Sequence, residues 1–184
     1  MNTLRNQLLS TCLKRYCGHF ANGEQANNKI HIECIADHPE LRETVVNQLG
    51  NLAISYEPDF VAGVPSGGNW LAKDIAVRFG IECISLKRGD NLQRSMDFDT
   101  ELDREKCLQV DSGVLIEDLI RKFTNTRKAL AIPEIGERIV AEVAVFDREL
   151  DIGREDPGIP VRALVKEYIP PLLPDDSPLW EFTK

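Results

Sequence analysis

The sequence predicts an α/β domain, with a mainly parallel sheet flanked by helices on both faces. Three observations carry this. Short apolar runs recur at residues 59–64, 81–86, 113–117, 138–146 and 160–165. From residue 59 onward such runs alternate with helix-period segments. The runs are apolar at consecutive positions, so both faces of each strand need cover, which a parallel sheet between helices supplies. Ligands of such sheets bind beyond the carboxyl ends of the strands, where the strand order reverses.

Taken in order, Leu4, Leu8, Leu9, Cys12 and Leu13 recur at helical spacing, and Gly18 stands where a helix would stop. Residues 3–17 therefore read as an amphipathic helix. Residues 19–38 are polar and irregular, with "NKIHIECI" alternating like a half-exposed strand. Residues 1–38 are expected to form a small N-terminal hood. Pro39 suits a first helical turn, and Leu41, Val45, Val46, Leu49 and Leu52 give the stripe of a second helix. "DFVAGV" is a strand, "GNWLAKDIAVRF" a helix closed by Gly80, and "IECISL" a strand. Residues 88–112 form a long polar stretch between two core strands, which reads as a mobile functional flap or a disordered loop, with Lys87 and Arg88 at its root. "GVLIE" is the next strand, "TRKALAI" a short helix cut by Pro133, and "RIVAEVAVF" and "PVRALV" the last strands. Residues 168–184 are proline-rich and read as an extended tail pinned by Trp180. No internal repeat is present, and residues 1–184 are expected to be a single domain.

Composition narrows the function classes. A hydrophobic share of 42% with 28% charged residues argues against disorder. A formal net charge of -8 disfavours nucleic acid and anionic membranes, which need a positive field. The cysteines at 12, 17, 34, 83 and 107 form no C-x-x-C, and His19, His31 and His38 lack zinc-ligand spacing. Free thiols in a reducing cytosol are expected. Arg5, Asn6, Gln7 and Lys14 interrupt the first segment, so it does not read as a signal peptide, and no run approaches membrane-spanning length. A cytoplasmic location is expected.

Three strand ends carry candidate chemistry. In "GVLIEDLIRKFTNT", Glu117 and Asp118 leave an apolar run and are followed by Arg121, Lys122, Thr124, Asn125 and Thr126. Two carboxylates there accept hydrogen bonds from vicinal hydroxyls, such as a ribose diol, or help hold Mg2+. The plainer reading is helix capping, and for an isolated pair it is the stronger one. "GVPSGG" holds Val64, Pro65, Ser66, Gly67 and Gly68 between a strand and a helix. Its backbone N–H groups can converge on an anion, or the glycines can serve an ordinary turn. In "VFDRE", Arg148 can meet a ligand carboxylate or bridge to Asp147 or Glu149 at the surface. Arg121 and Lys122 alone would be a solvated pair. Together these features converge on one edge of the sheet.

On these residues the chain resembles the type I phosphoribosyltransferases, most of all the orotate branch. "PDFVAGVPSGGNWLAKDIAVRFG" resembles the family's strand, pyrophosphate loop and helix. "GVLIEDLIRKFTNTRKAL" resembles the phosphoribosyl-pyrophosphate motif, and "VAEVAVFDRE" with "GIPVRALV" the last core strands. The resemblance implies a Mg2+-dependent homodimer that transfers a phosphoribosyl group from phosphoribosyl pyrophosphate to orotate. Glu117 and Asp118 would hold the ribose hydroxyls, and residues 64–68 would line the pyrophosphate and metal site, with Asp118 an indirect metal contact. Thr124, Asn125 and Thr126 would face the 5′-phosphate, with Arg121 and Lys122 adding charge, and Arg148 would contact the base.

The chain departs from that pattern in three places. The family's phosphate loop is glycine-rich, of T-T-G-G-S or T-G-x-T type, whereas this chain reads "RKFTNT". Phe123 and Thr124 would have to enter a turn that favours glycine. The flap lacks the family's histidine and carries Asp97, Asp99, Glu101, Asp103 and Glu105. The hood stretch "NGEQANNKIHIE" lacks the aromatic pair that meets the base, and Lys29 is its one lysine. Reduced turnover is therefore expected. The alternative is a non-catalytic homologue that senses a nucleotide or binds a protein. A dinucleotide oxidoreductase is disfavoured because no G-x-G-x-x-G is present.

Overall fold

The computed structural model describes residues 3–19, 25–89, 95–149, 154–170 and 172. Helix α1 (Leu4–Cys12) leads into strands β1 (Leu13–His19) and β2 (Gln25–Ile30), which pair antiparallel as a separate two-stranded sheet. A 3-10 turn (Ile32–Asp37) and helix α2 (Pro39–Ile54) follow. The chain then builds β3 (Phe60–Gly63), α3 (Gly67–Phe79), β4 (Glu82–Arg88), β5 (Met96–Phe98) and α4 (Glu101–Cys107). It ends with β6 (Gly113–Ile120), α5 (Thr124–Leu130), α6 (Pro133–Gly136), β7 (Ile139–Asp147) and β8 (Val161–Lys166).

The central sheet has the order β5-β4-β3-β6-β7-β8. Every pairing in it is parallel except β4 with β5. Side chains alternate across this sheet and feed two cores. On one face Val61, Val114, Ile116, Ala141, Val143 and Val145 pack against α1, α2 and α3. On the other, Phe60, Ala62, Ile84, Leu115 and Ile139 pack with Cys107 of α4, Ala129 of α5 and Ile135 of α6. Helix α3 stops as the sequence predicts, because Gly80 takes the left-handed conformation at φ 69° and ψ 34°. Cys12, Cys34, Cys83 and Cys107 are free thiols. No helix among the described residues is long and apolar enough to cross a membrane.

Three expectations need correction. The first helix ends at Cys12 rather than 17, because Leu13 to His19 pair with β2, with Leu13 opposite Ile30 and His19 opposite Gln25. The alternating stretch "NKIHIECI" straddles two elements: β2 closes at Ile30, and Ile32 and Ile35 enter the core from a 3-10 turn. The flap expected over 88–112 is built into the core from Met96 onward. Met96 and Phe98 are buried on β5, Cys107 is buried on α4, and Asp97 between them is exposed. Asp103 anchors α4 twice: one carboxylate oxygen accepts the Ser85 amide of β4 at 2.9 Å, and the other accepts the Thr100 amide at 3.1 Å. Residues 90–94 and the expected pin Trp180 lie outside the described residues.

The capping box of α4 tests this placement. The Thr100 hydroxyl accepts the Asp103 amide at 3.1 Å. Thr100→Ala should lower global stability by about 1 kcal/mol in urea denaturation, with Thr100→Ser close to the parent. A free flap would leave the unfolding midpoint unchanged.

Candidate functional site

The site follows from a mismatch of strand lengths. β3 pairs with β6 only as far as Gly63 opposite Ile116, whereas β6 stays paired with β7 to Ile120 opposite Asp147. Glu117 and Asp118 therefore lie within β6, at the carboxyl edge where β3 has stopped. Strand alternation sends them to opposite faces. Glu117 is buried at 3% exposure on the α5 side, where it accepts Asn125 Nδ2 at 3.4 Å. Asp118 is half-buried and lies against Gly67, where a Cβ would overlap its carboxylate.

The turn after β6 is made without glycine. Phe123 adopts φ 56° and ψ 19°, the left-handed conformation, while Thr124 opens α5. Of the two residues expected in the strained turn, only Phe123 is strained. Such a conformation costs a non-glycine residue roughly 1–2 kcal/mol. Packing offsets it: the ring is buried beside Ile120 and Ala144, and the Arg154 guanidinium sits 4.4 Å from its centroid. This turn and the end of β6 enclose a cavity of about 360 Å3. Arg121, Lys122, Thr124, Asn125 and Thr126 line it, together with Glu117, Arg88, Met96 and Lys128. The structure thus brings the first acid and the whole loop together, and adds Lys128 and Met96, which the sequence reading passed over.

It also adds Glu142. This residue is fully buried in the middle of β7, and both its carboxylate oxygens accept the Thr126 hydroxyl, at 2.9 and 3.1 Å. Thr126 is itself buried, so its hydroxyl faces the core carboxylate rather than the cavity. Burial pushes the Glu142 carboxyl up to about 7, with Asp147 adding to the rise and the Thr126 bond and Arg154 opposing it. Burial also pushes Glu117 well up, reinforced by the Glu142 and Asp118 charges. Asp118 is raised by burial too, against the Leu119 amide that its Oδ1 accepts at 2.8 Å. The sequence signal for Glu142 was a single acid inside the apolar run "VAEVAVF".

The remaining predicted residues fall elsewhere. Val64 and Gly68 do not line the cavity: the Val64 amide bonds Ile116 O at 2.9 Å, and the Gly68 amide bonds Val64 O at 2.9 Å. A Cβ at Gly68 would strike the Ile116 carbonyl, so close packing against β6 already requires both glycines of this turn. Pro65 is buried with its carbonyl accepting Arg88 Nη2 at 3.2 Å, and Ser66 is exposed. Lys87 is exposed and donates to Asp99 O at 3.2 Å.

Arg148 is the main correction. It is neither a surface bridge nor open to a ligand, being 1% exposed. The chain after β8 returns across the end of β7 and caps it. Nε donates to Ile169 O at 2.7 Å, and Nη2 donates to Pro170 O at 2.9 Å and to Asn28 Oδ1 of the hood at 2.8 Å. Its neighbour Asp147 is held by Arg154 instead, at 2.5 and 2.7 Å.

No protein-family model matches the chain. In sequence it is 26% identical over 168 residues to the orotate phosphoribosyltransferase of Carboxydothermus hydrogenoformans, covering 88% of this chain and 83% of that protein. It is 25% identical over 145 residues to the adenine phosphoribosyltransferase of Acidiphilium cryptum, covering 73% of this chain and 85% of that protein. In structure it superposes on orotate phosphoribosyltransferase from Aeropyrum pernix with a TM-score of 0.67 at 13% identity, covering 88% of this chain and 94% of that one. It superposes equally well on Leishmania donovani UMP synthase, with a TM-score of 0.67 at 18% identity, covering 89% of this chain and 35% of that one. In fold the chain is like the type I phosphoribosyltransferases, and in sequence it is similar to orotate and adenine phosphoribosyltransferases. Among these it is most like the orotate branch.

The Glu117–Glu142 pair gives a pH test. Glu142 holds its proton to about pH 7 when folded, against about pH 4.5 as an ordinary carboxyl. The folded state therefore binds the proton more tightly, and stability from this source falls as pH rises from about 4.5 through about 7, then levels off. Glu142→Gln should make that fall shallower in urea titrations across this range. Parallel curves for parent and variant would remove Glu142 as the cause.

Proposed function

We propose that the chain binds a ribose 5-phosphate group, as part of phosphoribosyl pyrophosphate or of a nucleotide, in the cavity between β6 and α5. The observation that supports this reading is the joining of Glu117 with Arg121, Lys122 and Lys128 around one cavity at the carboxyl edge of the sheet. A 5′-phosphate carries about two negative charges near neutral pH and needs fixed cations or N–H groups. The basic side chains of the loop supply the charge, while Glu117 supplies an acceptor for a sugar hydroxyl. The reaction proposed is the orotate-type transfer, in which a base nitrogen bonds to C1 of the ribose as the C1–pyrophosphate bond breaks. Its oxocarbenium-like state requires positioning and charge stabilisation rather than a covalent partner.

Mg2+ fits this reading through Asp118. Among the described residues no three acids, histidines or cysteines gather as a ready-made cation site. Mg2+ is commonly held by one or two carboxylates together with ligand phosphates, and Asp118 lies at the turn of residues 64–68. Bound there, the ion would neutralise charge on the departing pyrophosphate. The homodimer implied by the family likeness and a cytoplasmic location belong to the same proposal.

Orotate turnover is expected to be weak. The guanidinium of Arg148 is committed to Ile169, Pro170 and Asn28, so the carboxylate of orotate lacks the partner that the family likeness would give it. This observation favours the second reading, a homologue that binds a nucleotide without turning it over.

Calorimetry with ribose 5-phosphate, and with phosphoribosyl pyrophosphate plus Mg2+, tests the site. Binding of both is expected, with Lys128→Ala about tenfold weaker for each, in line with loss of one charge-assisted contact. Absence of binding by the parent would end the proposal. Orotate consumption followed by absorbance separates the two readings, and turnover at ordinary enzyme rates would refute the expectation drawn from Arg148.

A further inference from the structure

We propose that Glu142 is a positioning residue of this site: by accepting the Thr126 hydroxyl inside the core it fixes the first turn of α5 against the cavity. The inference rests on the ribose 5-phosphate reading above for its ligand, but its geometry stands apart from it.

Helix α5 begins without a side-chain cap, and Phe123, which precedes it, is left-handed. Two acids of the sheet secure the turn instead. Glu117 of β6 accepts Asn125 Nδ2, and Glu142 of β7 accepts Thr126 Oγ1 with both oxygens. The second contact is the shorter of the two and is wholly buried, with the single hydroxyl proton shared between the two oxygens. A buried carboxylate is a costly residue for the middle of a core strand, where an aliphatic side chain would pack as well. Asp147 and Arg154 are the other charged groups acting on it, and they are bonded to each other rather than to Glu142. Among the described residues the hydrogen bonds to its carboxylate come from Thr126. Thr126 has Thr124 and Asn125 just before it and Lys128 two residues after it, all lining the cavity. A rotation of the turn about the Thr126 anchor would move all three.

The test compares Glu142→Leu, which keeps the size but has no acceptor, with Glu142→Gln, which keeps an acceptor. Amide exchange over residues 124–128 is measured on folded protein without ligand, and affinity for ribose 5-phosphate by calorimetry. Glu142→Leu should raise exchange in this turn and weaken binding about tenfold, with Glu142→Gln restoring most of both. Thr126→Val should match Glu142→Leu, and the double variant should be no worse than either single one. Unchanged exchange and affinity in folded Glu142→Leu would overturn the inference, as would losses that add in full. If Glu142→Leu does not fold, Thr126→Val against Thr126→Ser gives the same comparison. If the parent binds no ribose 5-phosphate, the functional reading fails, while the exchange data still decide the role of Glu142.

Discussion

β6 outruns β3, and the rest of the site depends on that. Where β3 ends opposite Ile116, β6 continues for four more residues held by β7 alone. The notch so made is where the chain can place polar groups without breaking a sheet ladder, because the backbone groups on the β7 side remain paired. Glu117 and Asp118 occupy it, the turn of residues 64–68 closes one side, and the loop into α5 closes the other. A β3 longer by two residues would fill the notch with another strand. The position of the cavity is thus a property of sheet topology, while its chemistry is a property of a few side chains.

Those side chains run against the stability of the fold. Glu117 and Glu142 are both buried and both raised by that burial, and the Glu142 charge raises Glu117 further. Two aliphatic residues would serve the core better. A chain that keeps such a pair beside a cavity, each acid holding a side chain of the same helical turn, shows the conflict between local rules and global fold that marks functional sites.

How much was legible in the sequence follows from where burial and pattern agree. The five parallel strands were readable because each is apolar at successive positions. The stop of α3 was readable because Gly80 has one dominant conformational use there. The stretch after Arg88 was misread because its polar residues outnumber the apolar ones. Yet the informative residues were few: Met96 and Phe98 two apart, then Thr100 and Asp103 three apart, the spacing of a strand followed by a capped helix. Glu117 and Asp118 were found, but their separation to opposite faces required knowing that the strand continues to Ile120. Arg148 was placed at the right strand end, with the wrong surroundings. Its partners Asn28, Ile169 and Pro170 are distant in sequence, and nothing local announces a carbonyl arriving from another segment.

The missing glycines teach a narrower lesson. The sequence suggested that a loop without glycine would make the tight turn after Asp118 only at a conformational cost. The turn is made nevertheless, because Phe123 accepts the left-handed conformation and its ring is held by Ile120, Ala144 and the Arg154 guanidinium. Burying an aromatic side chain is worth roughly 1.5–3 kcal/mol, enough to offset the local backbone cost. What glycine would have given and phenylalanine cannot is bareness: amides with no side chain beside them, open to a phosphate on all sides. The same loop turns Thr126 inward to Glu142, which withdraws a hydroxyl from the cavity. In the proposed reading, recognition of an anion here rests on the side chains of Arg121, Lys122 and Lys128 rather than on backbone amides. Long cationic side chains match charge but hold it with less geometric definition than a fixed backbone cradle. Binding of a phosphate group is compatible with that change, whereas catalysis, which needs the reacting atoms held in one geometry, suffers more from it.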